Sequence, residues 1–178
     1  MRGGPADRRR LAFQAVNRRG EPGYQAGMQR HHLLPRELLS QRCFAALFDA
    51  IGRNRLGFHD FRRNGLLLPA SAEAALRTGL PLHRGPHRAY NALVAERIGQ
   101  IEGTWSRLRC KVPERERDQA FMRLALLQRA LRRRLLHPDR PRLRLNRQDP
   151  LGAGLDFAEL DAMADLLWAG TAGVSARP

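Results

Sequence analysis

Apolar residues along the chain fall into two spacings. Leu38, Leu39, Cys43, Ala46, Leu47, Ala50 and Ile51 recur at helical intervals. They predict a helix from Pro35, which fits a first helical turn, to Gly52, which ends it. Tyr90, Leu93, Val94, Ile98 and Ile101 mark one face of a second helix, HRAYNALVAERIGQIEGTWSRL over 87–108, which His83 precedes. A third, longer helix is predicted over 114–136, opened by Pro113 and closed by His137-Pro138. Asp156-Phe-Ala-Glu159 reads as a capping box, with Leu155 and Leu160 placed for a hydrophobic staple, and opens a last helix over 156–168. Between these lie two short extended stretches. Met28–Pro35 is one, and Leu66–Leu68, stopped by Pro69, is the other. Asn64-Gly65 before the second stretch is a tight-turn signal. The two stretches can pair as strands with the Pro35–Gly52 helix inserted between them. Ser71–Arg77 adds a helical turn before Gly79.

The 178 residues suit one ordinary domain. Hydrophobic residues are 43% and aromatics only 6%, so the core is mostly Leu and Ala. The organisation read from the pattern is a flexible basic arm over 1–27, a core over 28–108 and a helical C-terminal extension over 109–178. A short helix over Leu11–Val16 is broken by Gly20, Pro22 and Gly23. The helix over 114–136 is basic and the one over 156–168 is acidic. The acidic helix has two readings: a shield docked on basic surface, or a packing helix with a solvated acidic face. The second is preferred. The expected fold class is α+β, mostly helical.

Charge changes the picture. Lys plus Arg is 32 against 17 Asp plus Glu, a formal net charge of +15. Lys111 is the only lysine, which a GC-rich genome explains; it does not explain the excess. The excess points to a polyanionic partner, and otherwise to a solvated basic surface. Cys43 and Cys110 are too isolated for a metal knuckle and read as reduced thiols, Cys43 packed on its helix. No apolar run approaches the length that spans a bilayer. No apolar stretch follows MRGGPADRRR, so no secretory signal is read. The expectation is a protein cytoplasmic as synthesised, with delivery to another cell by some other route left open.

The candidate chemistry is imidazole. His31-His32 form a doublet, and His83 and His87 a second cluster four residues apart. At the start of the second predicted helix, that spacing puts both side chains on the same side of the first turn. Imidazole binds transition ions, and when neutral it serves as a base near pH 7. Taken singly, each histidine also reads as a surface residue or a helix cap; their combination favours a site. His59 and His137 fit no slot: His59 reads as structural, and His137 as a cation suited to a helix C-terminus. There is no H-E-x-x-H and no cysteine pair near the histidines, which argues against a zinc protease and a zinc finger.

Strand, turn, strand and helix, with RHHLLP on the first strand, RRNGLLLP at the turn and LHRGPHRAYNALV at the helix, resemble the ββα-metal nucleases of the HNH/endonuclease VII superfamily. More narrowly, the strings are similar to the AHH family. The resemblance covers about residues 28–103 and departs from the family at Arg30, which replaces a small residue before the doublet. It implies a ββα-metal core with a helical insertion between the strands, and a metal-dependent endonuclease. It assigns His31, His83 and His87 to the metal and His32 to the general base. Asn64 would fix the turn and orient His32; the alternative is a plain Asn-Gly turn. Strand alternation agrees, because adjacent residues point to opposite faces.

Arg62, Arg63, Arg84 and Arg88 flank these positions and are candidate substrate contacts, with solubility as the other reading. Tyr90 is either a phosphate contact or core, and core is preferred. The implied cofactor is one divalent ion: zinc, magnesium or another transition metal. The implied partner is nucleic acid, with DNA favoured, and no membrane. A bacterial toxin role with an immunity protein follows from the family's usual setting. The alternatives are an RNase, or a nucleic-acid-binding protein of the same fold that does not cut.

Overall fold

A computed structural model describes residues 10–137, 143 and 145–151 of the chain. The acidic helix expected at 156–168 lies outside the described residues. The elements run β1 (Met28–His32), α1 (Arg42–Ile51), α2 (Arg53–Leu56), α3 (Phe61–Asn64), β2 (Gly65–Pro69), α4 (Ala72–Thr78), α5 (Arg88–Leu108) and α6 (Pro113–Leu136), with a 3-10 turn at Arg36–Ser40. β1 and β2 pair antiparallel from Met28↔Pro69 to His32↔Gly65. Helical chain separates them, as the hydrophobic pattern predicts. The fold is mostly helical α+β, with one two-stranded sheet.

The expected single helix from Pro35 to Gly52 is interrupted. Gln41 is extended (φ −77°, ψ 116°), and α1 starts only at Arg42. The break resets the helical phase. Phe44, Leu47, Phe48 and Ile51 become the buried face, and Cys43 is exposed rather than packed.

α5 packs against α6, and α1 packs against both. Leu33, Leu34, Phe48, Val94, Ile98, Leu124 and Leu131 belong to one buried cluster. α6 therefore completes the same core as the sheet, although its sequence reads as an extension. Leu33, just after the doublet strand, is tied into this core from two sides. The Tyr90 hydroxyl donates to the Leu33 carbonyl at 2.7 Å. The Leu33 N–H donates to the Asn64 carbonyl at 2.8 Å.

The N-terminal segment expected as a flexible arm is held from Leu11 onward. Ala12 bridges to Asp60. The Leu11 N–H donates to Asp60 Oδ1 at 3.2 Å, and the Phe61 N–H donates back to the Leu11 carbonyl at 2.8 Å. Asn17, in the left-handed region (φ 51°), closes a loop onto Gln25 and Met28.

Asn64-Gly65 is not the tight turn that the dipeptide suggests. Gly65 has φ −111°, which any residue can adopt. Its requirement is steric: an added Cβ would sit inside the Phe61 ring. Gly65 lies directly opposite His32 in the register, so this close approach lets the helical insertion return beside the doublet. Gly65→Ala is expected to destabilise the protein by about 1–3 kcal/mol through overpacking, measured as a lower urea midpoint. An unchanged midpoint would contradict this role.

Candidate metal centre and the histidine doublet

Strand alternation separates the two histidines of the doublet. His31 faces inward and is 3% exposed. His32 is half-buried and stacks on the Phe13 ring, with centroids 3.7 Å apart and planes within 4°.

His83 and His87 reach His31 by a route that helical spacing does not describe. α5 begins at Arg88, with His87 as its N-cap, so the expected shared helical turn is absent. His83 sits in the preceding loop. Its N–H donates to the Pro69 carbonyl at 2.6 Å, which fixes it beside the end of β2. Gly85, at φ +81°, turns the loop back toward His87. The His31 ring centroid then lies 4.9 Å from His83 and 5.8 Å from His87, and those two are 4.3 Å apart. One potential ligand atom from each of the three lies within 4.8 Å of the others.

The hydrogen bonds around the cluster select which nitrogen is left for a ligand. His87 Nδ1 lies 3.1 Å from the Leu145 carbonyl, an acceptor, so Nδ1 donates there and Nε2 is the nitrogen left to face a ligand. His83 Nδ1 lies 3.3 Å from Gln29 Oε1, with the same consequence. Gln29 is two residues before His31 and shares its face of β1. His31 Nε2 is buried without a hydrogen-bond partner. Leaving such a group unsatisfied costs about 1–3 kcal/mol. An orphaned nitrogen beside two oriented imidazoles is the donor set that a transition ion takes, so these residues fit a divalent metal.

The electrostatics agree. Burial, followed by the neighbouring His83, His87 and His32, holds His31 well below the ordinary imidazole range. Burial and His87 bring His83 down to about 4. Both are therefore neutral near pH 7, the state that a ligand requires. His32 is also lowered to about 4, by burial first and then by Arg36, His59 and Arg30. It too is neutral near pH 7, and can accept a proton.

Arg30, the departure from the family pattern, has a structural task. Its guanidinium donates to the Phe13 carbonyl at 2.9 Å and to Val16 at 3.5 Å. It thus holds down the segment whose ring stacks on His32. Phe61 meets Phe13 edge-on at 5.2 Å. His59 is exposed but close enough to influence His32.

Asn64 is fully buried, and its side chain makes no hydrogen bond to His32. Oδ1 accepts from the Leu34 N–H at 2.7 Å and from Gln128 at 3.2 Å. Nδ2 donates to the Leu34 and Phe58 carbonyls at 3.0 and 3.2 Å. These four bonds use the whole capacity of the amide. Asn64 clamps the chain just after the doublet, and acts on His32 only through backbone.

The four candidate arginines separate. Arg63 is exposed and donates to the Arg55 carbonyl at 2.5 Å. Arg132 of α6 donates to the carbonyls of Arg62 and Arg63 at 2.9 and 3.4 Å, binding their helix to α6. Arg84 and Arg88 instead line a groove of about 860 Å³ with Asn146, Arg147 and Gln148. Tyr90 belongs to the core. Phe13, Gln29 and Leu145 were not foreseen as site residues. Only Gln29 carried a signal, its two-residue spacing from His31.

The model of the AHH family, a nuclease family of the HNH/ENDO VII superfamily with conserved AHH, matches residues 13–131. The chain belongs to the AHH nuclease family. Its activity is hydrolytic and its substrate is nucleic acid. No curated protein and no solved structure matches the chain. Among the described residues, no helix is long and apolar enough to cross a membrane.

The depressed histidines give the metal-free protein a defined pH response. His31 and His83 bind fewer protons folded than unfolded between their folded values and 6.5. Stability is therefore full above about pH 6.5 and is lost as pH falls through the window toward 4. Urea unfolding in EDTA should show the midpoint dropping between pH 6.5 and 5, before most carboxylates titrate. A flat profile across that interval would contradict the buried neutral histidines.

Proposed function

We propose that this AHH nuclease is a metal-dependent endonuclease, with DNA as its preferred substrate. The observation that carries the reading is the buried, unpartnered Nε2 of His31 beside His83 and His87, with His32 on the opposite face of the same strand. His31, His83 and His87 would hold one divalent cation, zinc, magnesium or another transition ion. When bound, such an ion supplies Lewis-acid stabilisation of charge at the phosphate and the leaving oxygen.

The remaining work belongs to the chain. His32, neutral near pH 7, accepts the proton of the attacking water as general base. Its stack on Phe13 limits ring rotation, so the accepting nitrogen keeps one direction. Arg84 and Arg88 lie next to the ligand positions and pair with phosphate oxygens of the bound strand. Arg62 and Arg63 border the β2 side and contribute positive potential there. Asn64 supports the reaction by holding the backbone that carries the doublet.

His32→Ala is expected to cut plasmid DNA at least about 100-fold more slowly than wild type, the usual contribution of a general base. It should bind metal with unchanged stoichiometry. EDTA should stop cleavage by the wild-type protein. Wild-type cleavage by His32→Ala would remove His32 as the base. Plasmid, single-stranded DNA and RNA compared in one assay test the substrate. Faster cleavage of RNA would make the enzyme an RNase.

A further inference from the structure

Residues 143 and 145–151 lie beyond the stretch matched to the family, yet the chain from Leu145 to Asp149 contacts the loop that carries His83 and His87. Three contacts converge on that loop. The Leu145 carbonyl meets His87 Nδ1 at 3.1 Å. Asp149 Oδ2 accepts from the N–H of Leu82, the residue before His83, at 3.0 Å. Asn146 Nδ2 donates to the carbonyl of Arg84, the residue after His83.

This segment is a built piece of structure. Asn146 Oδ1 accepts from the Gln148 N–H at 2.8 Å, and the Asp149 N–H donates to the Asn146 carbonyl at 3.2 Å. Together they close a turn of the kind Asn side chains favour. Asp149 Oδ1 accepts from the Leu151 N–H at 3.1 Å, so the buried carboxylate serves both its own turn and the ligand loop. Leu143 and Leu145 are buried in the main core and anchor the segment.

The ligand loop needs this support. Its sheet side is fixed through the His83 N–H on Pro69. At its far side Gly85 adopts a left-handed conformation with nothing within 4 Å of where a Cβ would be. Nearby hydrogen bonds therefore have to restrain the position of His83 relative to His87.

We infer that residues 145–149 form a strap that sets the ligand geometry of the His31, His83 and His87 site, with Asp149 as its positioning residue. The inference rests on reading those three histidines as a metal site. The strap fixes the proton on His87 Nδ1 and brackets His83 from both sides in sequence. It also forms one wall of the groove beside Arg84 and Arg88. The partners that orient metal-bound histidines typically change metal affinity about 10–100-fold when they are removed.

The test is zinc affinity of the full chain by competition with a chromogenic chelator, with thermal melting of the metal-free protein in parallel. Asp149→Ala should weaken zinc binding by about 10–100-fold. Asp149→Asn keeps one acceptor and should fall between it and wild type. Ile101→Val, a core substitution far along α5, should lower the melting temperature and leave zinc affinity unchanged. Loss of affinity is then separated from loss of stability. His83→Ala tests the underlying site. If His83→Ala abolishes stoichiometric zinc binding while Asp149→Ala binds as wild type, the strap inference fails and the metal site stands. If His83→Ala binds zinc as wild type does, the metal reading fails and the strap inference falls with it. Should Asp149→Ala not fold, Asn146→Ala replaces it, with weaker zinc binding expected. Wild-type affinity there overturns the inference.

Discussion

A buried imidazole nitrogen with nothing to bond is costly, and the organisation of this protein turns on His31 Nε2. The cost falls at a position the fold holds in place. Tyr90 and Asn64 hold the residues immediately after the doublet, and antiparallel pairing with β2 fixes the strand that carries it. Two further imidazoles, arriving from a loop and a helix start, face the same space. Their outer nitrogens are engaged by Gln29 and Leu145, so their inner ones are available. Burial and the neighbouring rings keep His31 and His83 neutral near pH 7, the state in which an imidazole is a ligand.

In the proposed mechanism the same strand serves two purposes, because its side chains alternate. His31 belongs to the interior cluster, whereas His32 lies against Phe13 under the influence of Arg36, His59 and Arg30. The separation allows one ring to bind and its neighbour to remain free to take a proton. Arg30 carries the cost and the benefit of this arrangement together. Its charge helps keep His32 neutral, and its guanidinium ties down the segment that supplies Phe13.

The four histidines, the pairing of the two strands and the positions of α5 and α6 were legible in the sequence. Each depends on spacing or residue type alone. The phase of α1 was not legible, because the extended Gln41 interrupts a run of apolar residues that reads equally well as one helix. Asn64-Gly65 misled because its local turn preference yields to a buried polar network and to the Phe61 ring, which are tertiary facts. His83 and His87 meet through a left-handed glycine and a backbone hydrogen bond to Pro69 rather than through a helical turn. The strap was invisible for a related reason: the Leu145 carbonyl contacts His87 from 58 positions away and leaves no mark on residue choice.

The central claim is that His31, His83 and His87 together hold one metal ion. Anomalous diffraction at the zinc edge from crystals grown with zinc tests it most directly. The account predicts a single strong peak about 2 Å from one ring nitrogen of each of the three histidines. A peak that omits His31, or density for three imidazoles with no ion between them in zinc-saturated crystals, would contradict it.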